Sequence, residues 1–171
     1  DRRVAWKRSV GLVSVASNNT IGGTASGAGN LISGNGDNGI YINGFFADRI
    51  TIQGHLIGTD GSGTSANSNG VNTDNGVAAI SIGGTINNLG ANTNNVVGGT
   101  TAGSRNVISG NTGAGMDGAV LVDGSGNTVQ GNVIGVDITG PGPVGKRGPG
   151  IATQAEPTHR TRGPAAGREK M

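Results

Sequence analysis

Asn19-Thr-Ile-Gly-Gly-Thr24, with Asn30-Leu-Ile-Ser-Gly-Asn35 behind it, comes back as Asn95-Val-Val-Gly-Gly-Thr100 with Asn106-Val-Ile-Ser-Gly-Asn111. A second pair, Thr51-Ile-Gln-Gly-His-Leu-Ile-Gly-Thr-Asp60 and Thr128-Val-Gln-Gly-Asn-Val-Ile-Gly-Val-Asp137, is interleaved with the first. Recurrence at a fixed separation marks a repeat array, and each unit is expected to form one structural layer. Aligning the repeats predicts four layers. One set of strands centres on Ile21, Ile52, Val97 and Val129, and a second on Ile32, Ile57, Ile108 and Ile134. A third set is Ile40-Tyr-Ile42, Ile80-Ser-Ile82 and Val120-Leu-Val122.

The segments are three to five residues long and bounded by Gly and Asn, with no i, i+3, i+4 pattern sustained over a helical length. Asn-Gly pairs at Asn35, Asn38, Asn43, Asn69 and Asn75 mark corners, because these residue types enter left-handed backbone at low cost. The unit is too long and too uniform for neighbouring hairpins joined by two-residue turns. Three short strands per turn, with the same apolar position facing inward each time, describe a coil of parallel sheets. The fold class is therefore all-β: a right-handed parallel β-helix, or solenoid, of about four coils with irregular basic termini.

Composition fits that reading. Among 171 residues, Gly supplies 36, while Phe, Trp and Tyr together supply four, so the interior must be built from Ile, Val and Leu. With no cysteine, neither a disulfide framework nor a thiolate metal site can form. The net charge of +2 conceals a division. Ten of the twelve Lys and Arg residues lie in the first eight positions or from Lys146 onward, leaving Arg49 and Arg105 against seven aspartates between Ser9 and Gly145. The ends lack the interleaved aromatics of single-strand binding platforms, so no specific nucleic-acid partner is expected. No apolar run approaches the roughly 18 residues of a membrane span.

Three regions follow: an irregular segment over 1–10, β-helix repeats over 11–140, and a decaying repeat with a disordered basic tail over 141–171. Gly11-Leu-Val-Ser-Val15 offers an opening strand, and Gly150-Ile-Ala-Thr153 reads as a fifth-layer remnant. The chain opens on Asp1 without a secretory-leader pattern and shows no polar cap at either end, as expected of a processed chain or a segment of a longer protein.

On its doubled Asn-x-Ile-Gly-Gly, Asn-x-Ile-Ser-Gly-Asn and Ile-Gly-Thr-Asp units, the stretch from about Gly11 to Gly140 resembles the right-handed parallel β-helix proteins of the pectate-lyase-like superfamily. It looks most like their bacterial surface and secreted branch. The resemblance implies an extracellular or cell-surface location and a polysaccharide or surface macromolecule as partner. It is a likeness of fold, and a fold does not name a reaction.

The layering predicts two corner ladders. Asn30, His55, Asn106 and Asn132 share one position, and Asn35, Asp60, Asn111 and Asp137 share another, so related polar groups stack about 4.8 Å apart. Asp60 to Gly76 is read as a long loop leaving the coil at one corner, the kind of place where function concentrates.

Enzymes of the resembled superfamily carry carboxylates, often with calcium, on one outward sheet face. Here the corresponding outward positions are Tyr41, Ser81 and Leu121, none charged. Asp123 lies just past its strand and Asp117 three residues before it; six extended residues span roughly 20 Å, too far for a glycosidase pair. Asp60 and Asp137, about two layers apart, come nearer the inverting range. The candidate ligand contacts are thus Tyr41, Asp60, Asp123 and Asp137, with no catalytic residue and no metal site assigned. Calcium enters only if the chain is a lyase.

Asn72-Thr-Asp74 and Gly54-His55 loosely resemble polygalacturonase signatures, but in reversed order and without the paired aspartates, and His55 falls on a ladder position. His159 lies in the basic tail. The G-x-G-x-x-G matches at Gly34, Gly113 and Gly140 read as turns, because phosphate binding needs a helix to follow. Thr20, Thr51 and Thr128, with Val96, should form an outward file like that of ice-binding β-helices. The leading expectation is a non-catalytic structural or adhesin-like segment contacting carbohydrate. The alternatives are a fragment of an enzyme acting on acidic polysaccharide, whether lyase or glycoside hydrolase, and an ice-binding β-helix.

Overall fold

Successive repeats set their Ile and Val residues directly over one another. The computed structural model describes residues 10–44, 46–71, 77–83, 92–112, 116–140, 142–145 and 148–153. Its strands are β1 (Leu12–Ser14), β2 (Thr20–Gly22), β3 (Leu31–Ile32), β4 (Ile40–Ile42), β5 (Thr51–Gln53), β6 (Leu56–Ile57) and β7 (Val77–Ile82). They continue as β8 (Val96–Gly98), β9 (Val107–Ile108), β10 (Met116–Val122), β11 (Thr128–Gln130), β12 (Val133–Ile134) and β13 (Ile151–Thr153).

All strand pairing is parallel and falls into three sheets. Sheet A runs β1-β4-β7-β10-β13, sheet B β2-β5-β8-β11 and sheet C β3-β6-β9-β12. From β2 onward the chain visits B, C and A in turn, four times over. It is a right-handed parallel β-helix of four coils, the winding sense that right-twisted parallel strands favour. Strand β13 completes the fourth coil rather than beginning a fifth, and β1 lies beneath the first, with Leu12 opposite Ile40.

The register follows the repeat. Ile21 pairs with Ile52, Ile52 with Val97 and Val97 with Val129. Ile32, Ile57, Ile108 and Ile134 align likewise in sheet C, and Ile40, Ile80, Val120 and Ile151 in sheet A. These side chains fill the bore. Ile52, Ile57, Ile80, Val97, Ile108 and Val120 are fully buried, while Val129 and Ile134 in the last coil are only partly covered. A bore filled by aliphatic layers stacked at strand spacing leaves little room for rings, which accounts for the scarcity of aromatics.

The separation of 76 to 77 residues corresponds to two coils, not one. The first and third coils have long connections from sheet B to sheet C, the latter containing a short 3-10 turn (Ala102–Ser104). The second and fourth instead extend from sheet C into hairpins, closed by antiparallel bridges Thr59 to Ala66 and Val136 to Pro143. Like insertions meet across the intervening coil. A Cβ on Gly103 would stand 2.2 Å from the Thr24 carbonyl oxygen, and the Ile138 amide donates to the Gly63 carbonyl at 3.1 Å.

The hairpins also explain the second apolar residue of each sheet C doublet. Leu31, Leu56, Val107 and Val133 form a file in register on the outer side of sheet C. A Cβ on Gly63 would stand 3.4 Å from Leu56 and 3.1 Å from Ile138, so the hairpins lie over this file. Val107 is thereby 3% exposed, whereas Leu31, at the first coil, is 53% exposed.

In each turn from sheet A into sheet B, the residue two positions before the sheet B strand is left-handed. Asn18, Arg49, Asn94 and Gly126 stand two positions before β2, β5, β8 and β11, with φ of 61°, 54°, 57° and 70°. Sheet A departs from expectation on its outer side. Tyr41, Ser81 and Leu121 align across it as the repeat predicts, but Ser81 and Leu121 are buried, at 5% and 4% exposure. The middle of this face is buried, while Tyr41 and Ala152 on either side are half-buried. The tail from Gln154 onward, with His159, and the Asn72-Thr-Asp74 match lie outside the described residues.

Candidate functional site: corner ladders and hairpin carboxylates

At the corner from sheet B to sheet C, each ladder residue after Asn30 accepts a backbone amide from the coil before it and bonds to a carbonyl of that same coil. Asn106 Oδ1 accepts the His55 amide at 3.0 Å, and Asn106 Nδ2 donates to the Ile52 carbonyl at 3.0 Å. Asn132 repeats this with the Asn106 amide and the Val97 carbonyl. The two amides also join directly, Asn106 Nδ2 donating to Asn132 Oδ1 at 2.9 Å.

His55 fills the same place with a different ring of atoms. Its Nδ1 accepts the Asn30 amide at 2.9 Å, and its Nε2 lies 3.0 Å from the Ile21 carbonyl oxygen. A carbonyl can only accept, so the proton sits on Nε2 and the imidazole is neutral. Nδ1 thus acts as the Asn oxygen and Nε2–H as the Asn amide hydrogen. The larger ring needs space, and Gly22 provides it: a Cβ there would lie 2.5 Å from the His55 ring and 2.1 Å from the Gln53 carbonyl oxygen. Burial, with 1% of the side chain exposed, pushes the His55 pKa down from its ordinary value, against the opposing effect of the backbone bonds to Ile21 and Asn30.

The second ladder differs from expectation. It consists of Asn35, Asn69 and Asn111, with neither Asp60 nor Asp137 in it. Asn69 Oδ1 accepts from Asn35 Nδ2 at 2.9 Å, and Asn69 Nδ2 donates to Asn111 Oδ1 and to the Ile32 carbonyl, both at 3.0 Å. Asn111 Nδ2 in turn donates to the Ile57 carbonyl at 3.0 Å. The displacement has a local cause. After Gly58, whose Cβ would collide with the Asn111 amide at 2.2 Å, the chain swings outward at φ 85° into the hairpin and returns only at Asn67. The place nearest in sequence is thus vacated, and Asn69, fully buried, takes it.

A third ladder, which the repeat alignment passed over, runs along the corner from sheet A to sheet B. Asn95 Oδ1 accepts the Ile50 amide at 2.8 Å, and Asn127 Oδ1 accepts the Asn95 amide at 2.9 Å. The signal was present, since Asn19, Asn95 and Asn127 each stand just before a sheet B strand. Ile50 interrupts the series, and with it the pattern. The recurring serines tie coils in the same way: Ser33 Oγ donates to the Thr59 carbonyl and Ser109 Oγ to the Val136 carbonyl, each at 2.7 Å.

Asp60 and Asp137 are hairpin residues. Asp60 Oδ1 accepts from Ser62 Oγ at 2.7 Å and from the amides of Thr64 and Ser65, both at 3.2 Å. Asp137 Oδ1 accepts from Thr139 Oγ1 at 2.6 Å and from the amides of Thr139 and Gly140, both at 2.8 Å. The hydroxyls of Ser62 and Thr139, seconded by the backbone amides, hold both carboxyls below the usual aspartate range. Each carboxylate is organised by its own loop. In both loops it is Oδ1 that faces the ring of hydrogen-bond donors.

The remaining candidates are scattered. Asp123 is buried, at 8% exposure, and its Oδ1 accepts the Gly124 amide at 2.9 Å. Tyr41 is half-buried, with its hydroxyl accepting from Asn43 Nδ2 at 3.0 Å. Asp117 is the bulged residue of β10. Thr20, Thr51, Val96 and Thr128 do align along sheet B, with exposed Thr at both ends of the file. Strand β4, not a helix, follows the glycine-rich turn at Gly34 to Gly39. Among the described residues no three His, Asp or Glu side chains converge as a metal site would require, and no helix is long and apolar enough to cross a membrane. Compared with known proteins, the chain matches no family model, and no curated protein or solved structure matches it significantly.

Proposed function

We propose that this chain is a non-catalytic structural module, a rigid spacer in a secreted or cell-surface protein of the pectate-lyase-like β-helix type. One observation carries the reading: the polar side chains of the signature repeats are engaged in joining coil to coil. His55, Asn69, Asn106 and Asn111 are buried and bonded to neighbouring coils, and Ser33 and Ser109 bond to the next coil. An enzyme holds such groups toward a substrate. Here they face main chain.

The surface on offer to a macromolecular partner is sheet B with the two hairpins, where Thr20, Thr128 and the Asp60 and Asp137 loops are solvent-exposed. Exposed polar groups on a flat, rigid sheet suit the hydroxyl-rich surface of a polysaccharide. Screening the protein on a glycan array, and assaying pectate, alginate and polygalacturonate for cleavage with and without calcium, tests the proposal. Binding without turnover is the expected result. Turnover abolished by Asp60→Ala or Asp137→Ala would establish a polysaccharide-cleaving enzyme instead.

A further inference from the structure

Asn-Gly is the dipeptide most prone to spontaneous deamidation, because glycine leaves its own amide nitrogen unhindered. The described residues contain four such pairs, at Asn35, Asn38, Asn43 and Asn69. The reaction needs the asparagine carboxamide to rotate freely and the following amide to meet solvent, where water or hydroxide takes its proton.

Three of the four are held out of this geometry. Asn35 is bonded to Asn69, and Asn69 to Asn111 and the Ile32 carbonyl. The Gly70 amide is itself engaged, donating to the carbonyls of Asn35 and Asp37 at 2.9 Å. Asn38 is held on both sides, its Oδ1 accepting the Ala78 amide at 2.7 Å and its Nδ2 donating to Asp37 Oδ1 at 3.1 Å. Gly36, Gly39 and Gly70 are all buried.

Asn43-Gly44 is different. It lies just beyond β4, where the ladders do not reach, and both residues are half-exposed. The Asn43 carboxamide makes one side-chain bond among the described residues, to the Tyr41 hydroxyl; the Gly44 amide, like those of Gly36 and Gly39, donates to no described residue, but only Gly44 of the four glycines is not buried. We propose that Asn43 is a built-in modification site of the folded protein, converting to aspartate and isoaspartate while the ladder asparagines are protected by the coil.

The step balances without a cofactor. The deprotonated Gly44 nitrogen attacks Asn43 Cγ, the Cγ–Nδ2 bond breaks and ammonia leaves, giving a succinimide. Water then opens the ring at either carbonyl. One opening leaves an ordinary aspartate in place of Asn43; the other routes the main chain through the former side chain and lengthens it by one carbon. A Cβ on Gly44 would stand 3.2 Å from the Val15 carbonyl oxygen, so the lengthened chain would disturb the β1 edge of sheet A.

Incubating the folded protein at mildly alkaline pH and mapping peptides by mass spectrometry, with isoaspartate detection, reads the site directly. Conversion at Asn43 should be at least about tenfold faster than at Asn35, Asn38 or Asn69, whose reaction waits on local opening. In urea the four should converge. Asn43→Gln should remove the fast conversion without changing the circular dichroism of the fold. Conversion of Asn35, Asn38 or Asn69 in the folded protein as fast as Asn43, or an inert Asn43 that reacts only in urea, would overturn the proposal.

Discussion

Arg49 is the one residue in the left-handed corner column that is neither Asn nor Gly, with φ of 54° in a series completed by Asn18, Asn94 and Gly126. An ordinary L-residue is held there at a cost of roughly 1–2 kcal/mol, which Asn partly avoids. Its compensation is a single exposed bond from Nε to Asn18 Oδ1 at 2.8 Å. Arg49→Asn should therefore raise stability by about 0.5–1 kcal/mol, seen as a higher urea midpoint at unchanged slope. His55 makes the opposite kind of prediction. Because its folded pKa is lowered, the unfolded chain binds the proton first, and stability falls as pH drops below about 6.5. Protonation would also turn Nδ1 from an acceptor into a second donor facing the Asn30 amide. His55→Asn restores the residue of the neighbouring coils, so its thermal midpoint should lose this pH dependence between about pH 5 and 7. A parallel decline in both proteins would remove His55 as the cause.

At the scale of elements, the two hairpins show where sequence reasoning reached and where it stopped. The Ile-Gly pair marked the exit from sheet C, and the inward positions of β2 to β12 were legible from the repeat, whereas the facing of β1 and the coil of β13 were not. What the alignment could not show was that the chain leaves at Gly58 and comes back at Asn67, since the bridges Thr59 to Ala66 and Val136 to Pro143 recur without shared residue identity. Asp60 was therefore placed in a ladder that Asn69 occupies, and the outer Leu31 to Val133 file, which depends on those hairpins for cover, went unread. The carboxylates organise these loops locally. Asp60→Ala should speed hydrogen exchange at the Thr64 and Ser65 amides while leaving the coil's unfolding transition nearly unmoved. The same loosening should appear in the native protein as pH falls below about 4, where carboxylates held at lowered pKa finally protonate. Exchange unchanged in Asp60→Ala would mean that the hairpin is held by its bridge and by Ile138 instead.

The whole molecule behaves as a stack, and its stability should be distributed like one. In a solenoid each coil contacts only its neighbours, apart here from the paired insertions, so stability is a sum of coil and interface contributions and openings begin where an interface is missing. The bore shows the gradient directly: Ile57 and Ile108 are fully buried, Ile134 in the same file is partly exposed, and Ile151 at the end of sheet A is 46% exposed. Register and bore composition were readable in advance because they obey strict periodicity. The burial of Ser81 and Leu121 was not, because the outward strand positions of the repeat carry no signal for it. Ile57→Ala should cost about 2–5 kcal/mol, as expected for a close-packed interior, and Ile134→Ala less than half as much, since solvent already reaches that layer. Amide exchange should follow the same order, fastest in β11 to β13 and slowest in β5 to β9. Equal losses for the two substitutions would show that the coils unfold as one indivisible unit, with the paired hairpins and loops, rather than the strand ladder, setting the cooperativity.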